Sequence, residues 1–138
     1  LRDAAAKRGI TLTLQGESAV VSGVPALIRE VVGNLCDNAV KYNVDGGSVT
    51  VTVESGETAA SLTVEDTGVG IPQAEQGRVF ERFYRVDKSH SKASGGTGLG
   101  LSIVKHAVQL HHGKIQLQSK LGKGTRIQVL FPVERSET

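Results

Sequence analysis

The residues best suited to chemistry fall in three glycine- or amide-bearing stretches of this 138-residue chain. The first lies between Pro25 and Tyr42, where Ile28, Val31, Val32, Leu35 and Ala39 recur at helical spacing. At about 100° per residue, Glu30, Asn34, Asp37, Asn38 and Lys41 share the opposite arc, roughly 100° wide. A solvated face is the ordinary reading of such a pattern. Two asparagines at i and i+4 speak against it, because Asn weakens a helix interior without improving packing. An Asn oxygen can ligate a hard cation, and its amide can reach a phosphate. A cation that arrives on a nucleotide needs few protein oxygens, since Mg²⁺ keeps waters and takes phosphate oxygens.

The second stretch is Asp66-Thr67-Gly68-Val69-Gly70, directly after an apolar alternating run. Asp and Gly are ordinary turn residues. An ionised carboxylate here would also accept a hydrogen bond from a ligand N–H, favouring an adenine amine over a guanine oxygen. The two glycines would let a flat ring approach the backbone. The third stretch, Gly95-Gly96-Thr97-Gly98-Leu99-Gly100-Leu101, leads four glycines into a helix and offers free N–H groups and a positive dipole end to phosphates. No strand precedes it and no GxxxxGK[ST] occurs, which excludes a dinucleotide fingerprint and a Walker loop. Residues 78–92, just before it, hold five Lys or Arg against two Asp or Glu, as a cationic lid would.

These stretches need a scaffold. Ile10, Leu12 and Leu14 alternate as a short strand, and Ala19 to Val21 could add another. Pro25 opens the first helix. Ser48 to Glu54 and Ser61 to Glu65 read as a hairpin, and Val79 to Phe83 as a short helical piece. Leu99 to His111 reads as a second helix closed by Gly113. Ile115 to Leu117 and Ile127 to Phe131 form a last hairpin stopped by Pro132. The expected fold is a two-layer α/β sandwich, a mixed and mostly antiparallel sheet with helices on one face, in one domain over 1–138.

Composition narrows the partners. Net charge +2 and 4 % aromatic residues without Trp give no platform for nucleic acid. No apolar run spans a bilayer, and the start LRDAAAKRGI lacks a signal-peptide core, so no direct membrane contact is expected. The lone Cys36 forms no intrachain bridge and suits a reducing compartment, most simply as a packing residue. His90, His106, His111 and His112 lack zinc-ligand spacing, and no GxSxG nucleophile occurs.

In this order the stretches resemble the catalytic, ATP-binding domain of sensor histidine kinases. Glu30 through Tyr42 (EVVGNLCDNAVKY) looks like the N box, and Asp66 through Pro72 (DTGVGIP) like the G1 box. Phe80 through Arg85 (FERFYR) looks like the F box, Gly96 through Leu101 (GTGLGL) like the G2 box, and Gly122 through Thr125 like the final GxGT turn. Arg82 through Ser89 further resembles the phosphate-sensing, PhoR-like branch. The resemblance implies the Bergerat fold and ATP with Mg²⁺. It places Asp66 on the adenine amine, with Gly68, Gly70, Ile71 and Thr125 around the ring. It places Asn34 on Mg²⁺ and Asn38 near the phosphates. Lys41, Tyr42 and Arg85 would contact phosphates or ribose, and Gly96, Thr97, Gly98, Leu99 and Gly100 would line the phosphate loop. Asn34, Lys41 and Arg85 would carry the transfer of the γ-phosphoryl.

The family's phosphoacceptor is a His followed by Asp or Glu, whereas the four histidines here precede Ser, Ala, His and Gly. The resemblance therefore implies a separate dimerisation helix as acceptor, a response regulator downstream, and a monomeric domain in the cytoplasmic part of a membrane-anchored sensor. This chain is not expected to phosphorylate itself. Asn43 stands where the family usually has Thr and is expected to be tolerated. Two alternatives remain beside the kinase: an ATPase of the gyrase, MutL and chaperone type, and a nucleotide-responsive docking module.

Overall fold

The structure is a computed structural model that describes residues 6–16, 25–56, 58–81 and 100–132. Five strands run as β1 (Thr11–Gly16), β2 (Ser48–Ser55), β3 (Ala59–Asp66), β4 (Lys114–Lys120) and β5 (Gly124–Pro132). Two helices, α1 (Pro25–Lys41) and α2 (Gly100–Leu110), stand between them, with a 3₁₀ turn at Gln73–Glu75. The sheet order is β1-β2-β3-β5-β4. Only β1 and β2 pair in parallel, because a helix crosses between them, and the remaining pairs are antiparallel.

The helices pack on each other and on one face of the sheet. Val31 and Leu35 of α1 and Val104, Ala107 and Val108 of α2 are almost fully enclosed. They meet Val49, Leu62, Val64, Ile127, Val129 and Phe131, which occupy alternate positions of β2, β3 and β5. The other face is polar, with Glu65 paired to Arg126 at 3.5 Å and Gln128 bonded to Thr63. Helical and strand periodicities thus point one set of apolar side chains into one layer, as the sequence predicts. Among the described residues no helix is long and apolar enough to cross a membrane.

Two expectations need adjustment. Residues 73–81 form a 3₁₀ turn and further turns that bury Val79, in place of a helical piece starting at Val79. Helix α2 is closed by His112, not Gly113: His112 takes φ 59°, while Gly113 N–H bonds Val108 O and His112 N–H bonds Gln109 O. Gly113 is needed for space instead, since a Cβ there would lie 2.4 Å from Leu130 O. The strand expected at Ala19 to Val21 lies outside the described residues, as does the segment from Arg82 to Leu99.

Candidate functional site

Asp66 is the last residue of β3 and lies opposite Thr125 of β5 in the ladder. Cross-strand partners share a face, and Val64 and Ile127 two residues away point into the core, so Asp66 and Thr125 point to the helix side. Asp66 Oδ1 accepts from Gly68 N–H at 2.9 Å and from Thr125 N–H at 3.2 Å. Burial raises its carboxyl above the ordinary range, and these two N–H bonds pull it partly back. Both bonds fall on Oδ1, so Oδ2 takes neither of them.

The loop after Asp66 is held from two sides. Towards α1, Val69 N–H donates to Tyr42 O at 3.1 Å. The buried Asn43 bonds Ser48 O through Nδ2 and accepts from Val44 N–H, while the Thr67 hydroxyl bonds Asn43 Oδ1 and Ser48 N–H. Asn43 therefore joins the end of α1, the start of β2 and the Asp66 loop. Towards the β4–β5 turn, Gly122 N–H donates to Val69 O and Ile71 N–H to Ser119 Oγ, at 2.9 and 2.8 Å. Gln76 adds bonds to Ile71 O and Ser119 O.

The loop glycines serve a purpose the sequence does not reveal. A Cβ on Gly68 would lie 2.3 Å from Tyr42 O, and one on Gly70, at φ +76°, would lie 2.2 Å from Lys120 O. The place a Cβ would take at each is filled by the protein's own carbonyls. They allow the loop to close on its supports.

A second cluster lies along α1. The Asn34 amide donates to Glu30 O at 2.7 Å and to Glu30 Oε2 at 3.1 Å, which fixes the direction of Oδ1. That oxygen lies 3.1 Å from the point where a Cβ on Gly100 would stand. The first residue of α2 thus packs closely against the Asn34 oxygen, where any side chain would crowd it. Lys41 pairs with Asp37 at 3.1 Å. An open groove lined by Ala26, Arg29, Glu30, Gly33, Asn34 and Asp37 runs along this face.

The structure gathers Asp66, Gly68, Gly70, Ile71 and Thr125 around one loop; Asn34 lies beside Gly100, with Asn38 and Lys41 one and two turns further along α1. Tyr42 joins loop and helix through its carbonyl. Arg85, Gly96, Thr97, Gly98 and Leu99 lie outside the described residues. Among the described residues no group of three or more His, Cys, Asp or Glu could hold a metal. A cation here fits only as Asn34 alone allows, with most of its oxygens brought by the ligand.

Three residues escape the sequence reading. Ser119 does leave a trace, a polar residue in the core-facing phase after Ile115 and Leu117. Gln76 leaves none. Arg8 clasps the end of α1: its guanidinium bonds the carbonyls of Val40, Lys41 and Asn43 and pairs with Asp45 at 2.8 Å. Nothing local foretells a contact across more than thirty residues.

An open mixed sheet with two helices on one face, with an aspartate at the end of an inner strand, is the Bergerat-type α/β fold of ATP-binding domains. A family model described as histidine kinase-, DNA gyrase B- and HSP90-like ATPase matches residues 23–135, and the chain belongs to that family. Its relatives include the phosphate regulon sensor protein PhoR of Pseudomonas aeruginosa, 41 % identical over 127 residues, covering 91 % of this chain and 29 % of the relative. The chain thus spans well under half of that relative's length. Among solved structures, the mycobacterial sensor histidine kinase MprB superposes with a TM-score of 0.80 at 32 % identity, covering 95 % of this chain and 89 % of the other. Full-length ShkA in complex with AMPPNP superposes with a TM-score of 0.77 at 25 % identity, covering 97 % and 28 %.

Proposed function

We propose that this chain is the catalytic domain of a two-component sensor histidine kinase, binding ATP with Mg²⁺ and transferring the γ-phosphoryl to a histidine on a separate dimerisation domain. The observation that carries it is the Asp66 carboxylate, half-buried, oriented by two N–H groups and presenting acceptors only when ionised. Such a group selects a ligand amine, and the relatives' names and the AMPPNP complex of ShkA support adenine as its bearer. Gly68, Gly70, Ile71 and Thr125 would surround the base. Asn38, Lys41, Tyr42 and Arg85, with Gly96, Thr97, Gly98, Leu99 and Gly100, would hold ribose and phosphates. Asn34 would hold Mg²⁺, which supplies charge neutralisation on the phosphate oxygens.

In the transfer, the acceptor imidazole nitrogen forms a bond to the γ-phosphorus while the bond to the β–γ bridging oxygen breaks and ADP leaves. Lys41 and Arg85 would position the phosphoryl group and offset its charge. The acceptor helices, the response regulator, a monomeric state over 1–138 and a place in the cytoplasmic part of a membrane-anchored sensor belong to the same reading. The test is calorimetric titration of the chain with an ATP analogue, with and without Mg²⁺, followed by ATP plus a purified acceptor-helix dimer. Phosphohistidine on the dimer supports the kinase. Free phosphate alone would make the chain an ATPase, and binding without either product a docking module.

A further inference from the structure

Ser119, Thr125 and Asp66 are direct neighbours across three strands, in register pairs Ser119–Thr125 and Thr125–Asp66. Ser119 Oγ makes three contacts: Ile71 N–H at 2.8 Å, Gly124 O at 3.0 Å and Thr125 Oγ1 at 2.8 Å. Their proton directions are fixed by chemistry. Ile71 N–H only donates and Gly124 O only accepts, so the single Ser119 proton goes to Gly124 O. The third bond then forms only if Thr125 supplies the proton. Ser119 has one donor and two acceptor sites, and this arrangement fills all three.

We propose that Ser119 is a positioning residue for base selection: by taking the Thr125 proton, it leaves Thr125 and Asp66 facing the base as acceptors only. Resting on the proposed nucleotide site, the inference deepens it, because discrimination no longer depends on Asp66 alone. A 6-amino purine can supply hydrogens to this edge. A 6-oxo purine places a carbonyl where the amino group would stand, with its hydrogen on N1 instead, so at the 6-position it finds no proton from the Thr125 hydroxyl.

The experiment is titration of the chain with ATP and with inosine triphosphate, reading the ratio of the two affinities. Ser119→Ala releases the Thr125 proton to serve an oxo group, and the ATP preference should fall about tenfold, the worth of one hydrogen bond at a partly buried site. Ser119→Thr keeps the hydroxyl and should keep the wild-type ratio, which separates proton placement from loop damage. In a Thr125→Val background, Ser119→Ala should leave the ratio unchanged, because the hydroxyl it acts through is gone. An unchanged ratio in Ser119→Ala, or an equal fall with and without Thr125, overturns the inference and leaves the nucleotide site standing. Failure of the wild-type chain to bind ATP at all overturns the site reading and this inference with it.

Discussion

The two ends of the site are built from different physics. Around Asp66 nearly every contact has a backbone amide or carbonyl on at least one side, closed by glycines that admit no side chain and by the buried Asn43. Along α1 they are side chains on an accessible surface: Asn34 on Glu30, and Lys41 on Asp37, whose side chain is half exposed. Exposed pairs of the second kind contribute little to stability, about 0.3–0.5 kcal/mol for an i,i+4 pair. The base end is therefore set before any ligand arrives. The α1 end keeps its amide and ammonium groups in weak local pairs that an incoming ligand could displace. In the proposed site, a rigid end at Asp66 stands apart from an adjustable, charged end on α1.

The sharpest way to break this contrast is Asp66→Ala. It removes the acceptor for both Gly68 N–H and Thr125 N–H and leaves a ligand amine unpaired. Calorimetry should find adenine-nucleotide affinity reduced about a hundredfold or more, on the scale of a charged hydrogen bond plus an unpaired buried donor. Binding within tenfold of wild type would move the base elsewhere.

Next comes a pair of glycine substitutions, one at each end. Gly70→Ala meets both a positive φ and Lys120 O at 2.2 Å. Denaturant unfolding should show a loss of about 2–4 kcal/mol, from the left-handed backbone and the overpacking together. Gly33→Ala, on the outer face of α1 with nothing within 4 Å, should gain up to about 1 kcal/mol from helix propensity. Equal effects at the two positions would erase the distinction between a closed end and an open one.

Asn34→Ala probes function rather than folding. Its bonds are local, to a carbonyl and a carboxylate one turn away on the same helix. The melting temperature should stay within a few degrees. Mg²⁺-dependent ATP affinity should drop about tenfold, on the scale of one hard-cation ligand, and phosphoryl transfer to an acceptor dimer should stop. Normal transfer would sink the metal assignment.

How far the sequence discloses all this depends on whether a feature is periodic or a contact between distant segments. Val31, Leu35 and Val104 are legible because a helix repeats its buried face, and Val64 and Ile127 because a strand alternates. Asp66 is legible as the end of such an alternation. The purpose of Gly68 and Gly70 is not, since their neighbours are carbonyls of Tyr42 and Lys120. Arg8 is hidden for the same reason, being chemically ordinary until folding brings it to the end of α1. The closure of α2 by His112 illustrates a local ambiguity: Gly113 fits the usual pattern one residue late, and packing against Leu130 O decides which residue bends.

The smallest expected effect concerns the cost of keeping Asp66 ready. Its carboxyl titrates above the ordinary range because burial disfavours the charge more than Gly68 and Thr125 N–H restore it. A native carboxyl raised above its unfolded value binds protons more tightly when folded, so its contribution to stability is full below the unfolded value near 4. It is lost as pH rises through the raised native value, and at neutral pH the ionised group works against the fold. Asp66→Asn keeps an oxygen for both N–H donors and removes the charge. In thermal melts at pH 7 without nucleotide it should unfold at a higher temperature than wild type, with the gain shrinking as pH falls towards 4. The same variant should bind ATP poorly, because an amide can turn donors towards the ligand amine. A gain in melting temperature with a loss of affinity would mark Asp66 as a residue held at some expense to the fold for what it binds. A lower melting temperature at pH 7 would show the two N–H bonds prevailing over burial, so that the base end is preorganised at no such cost.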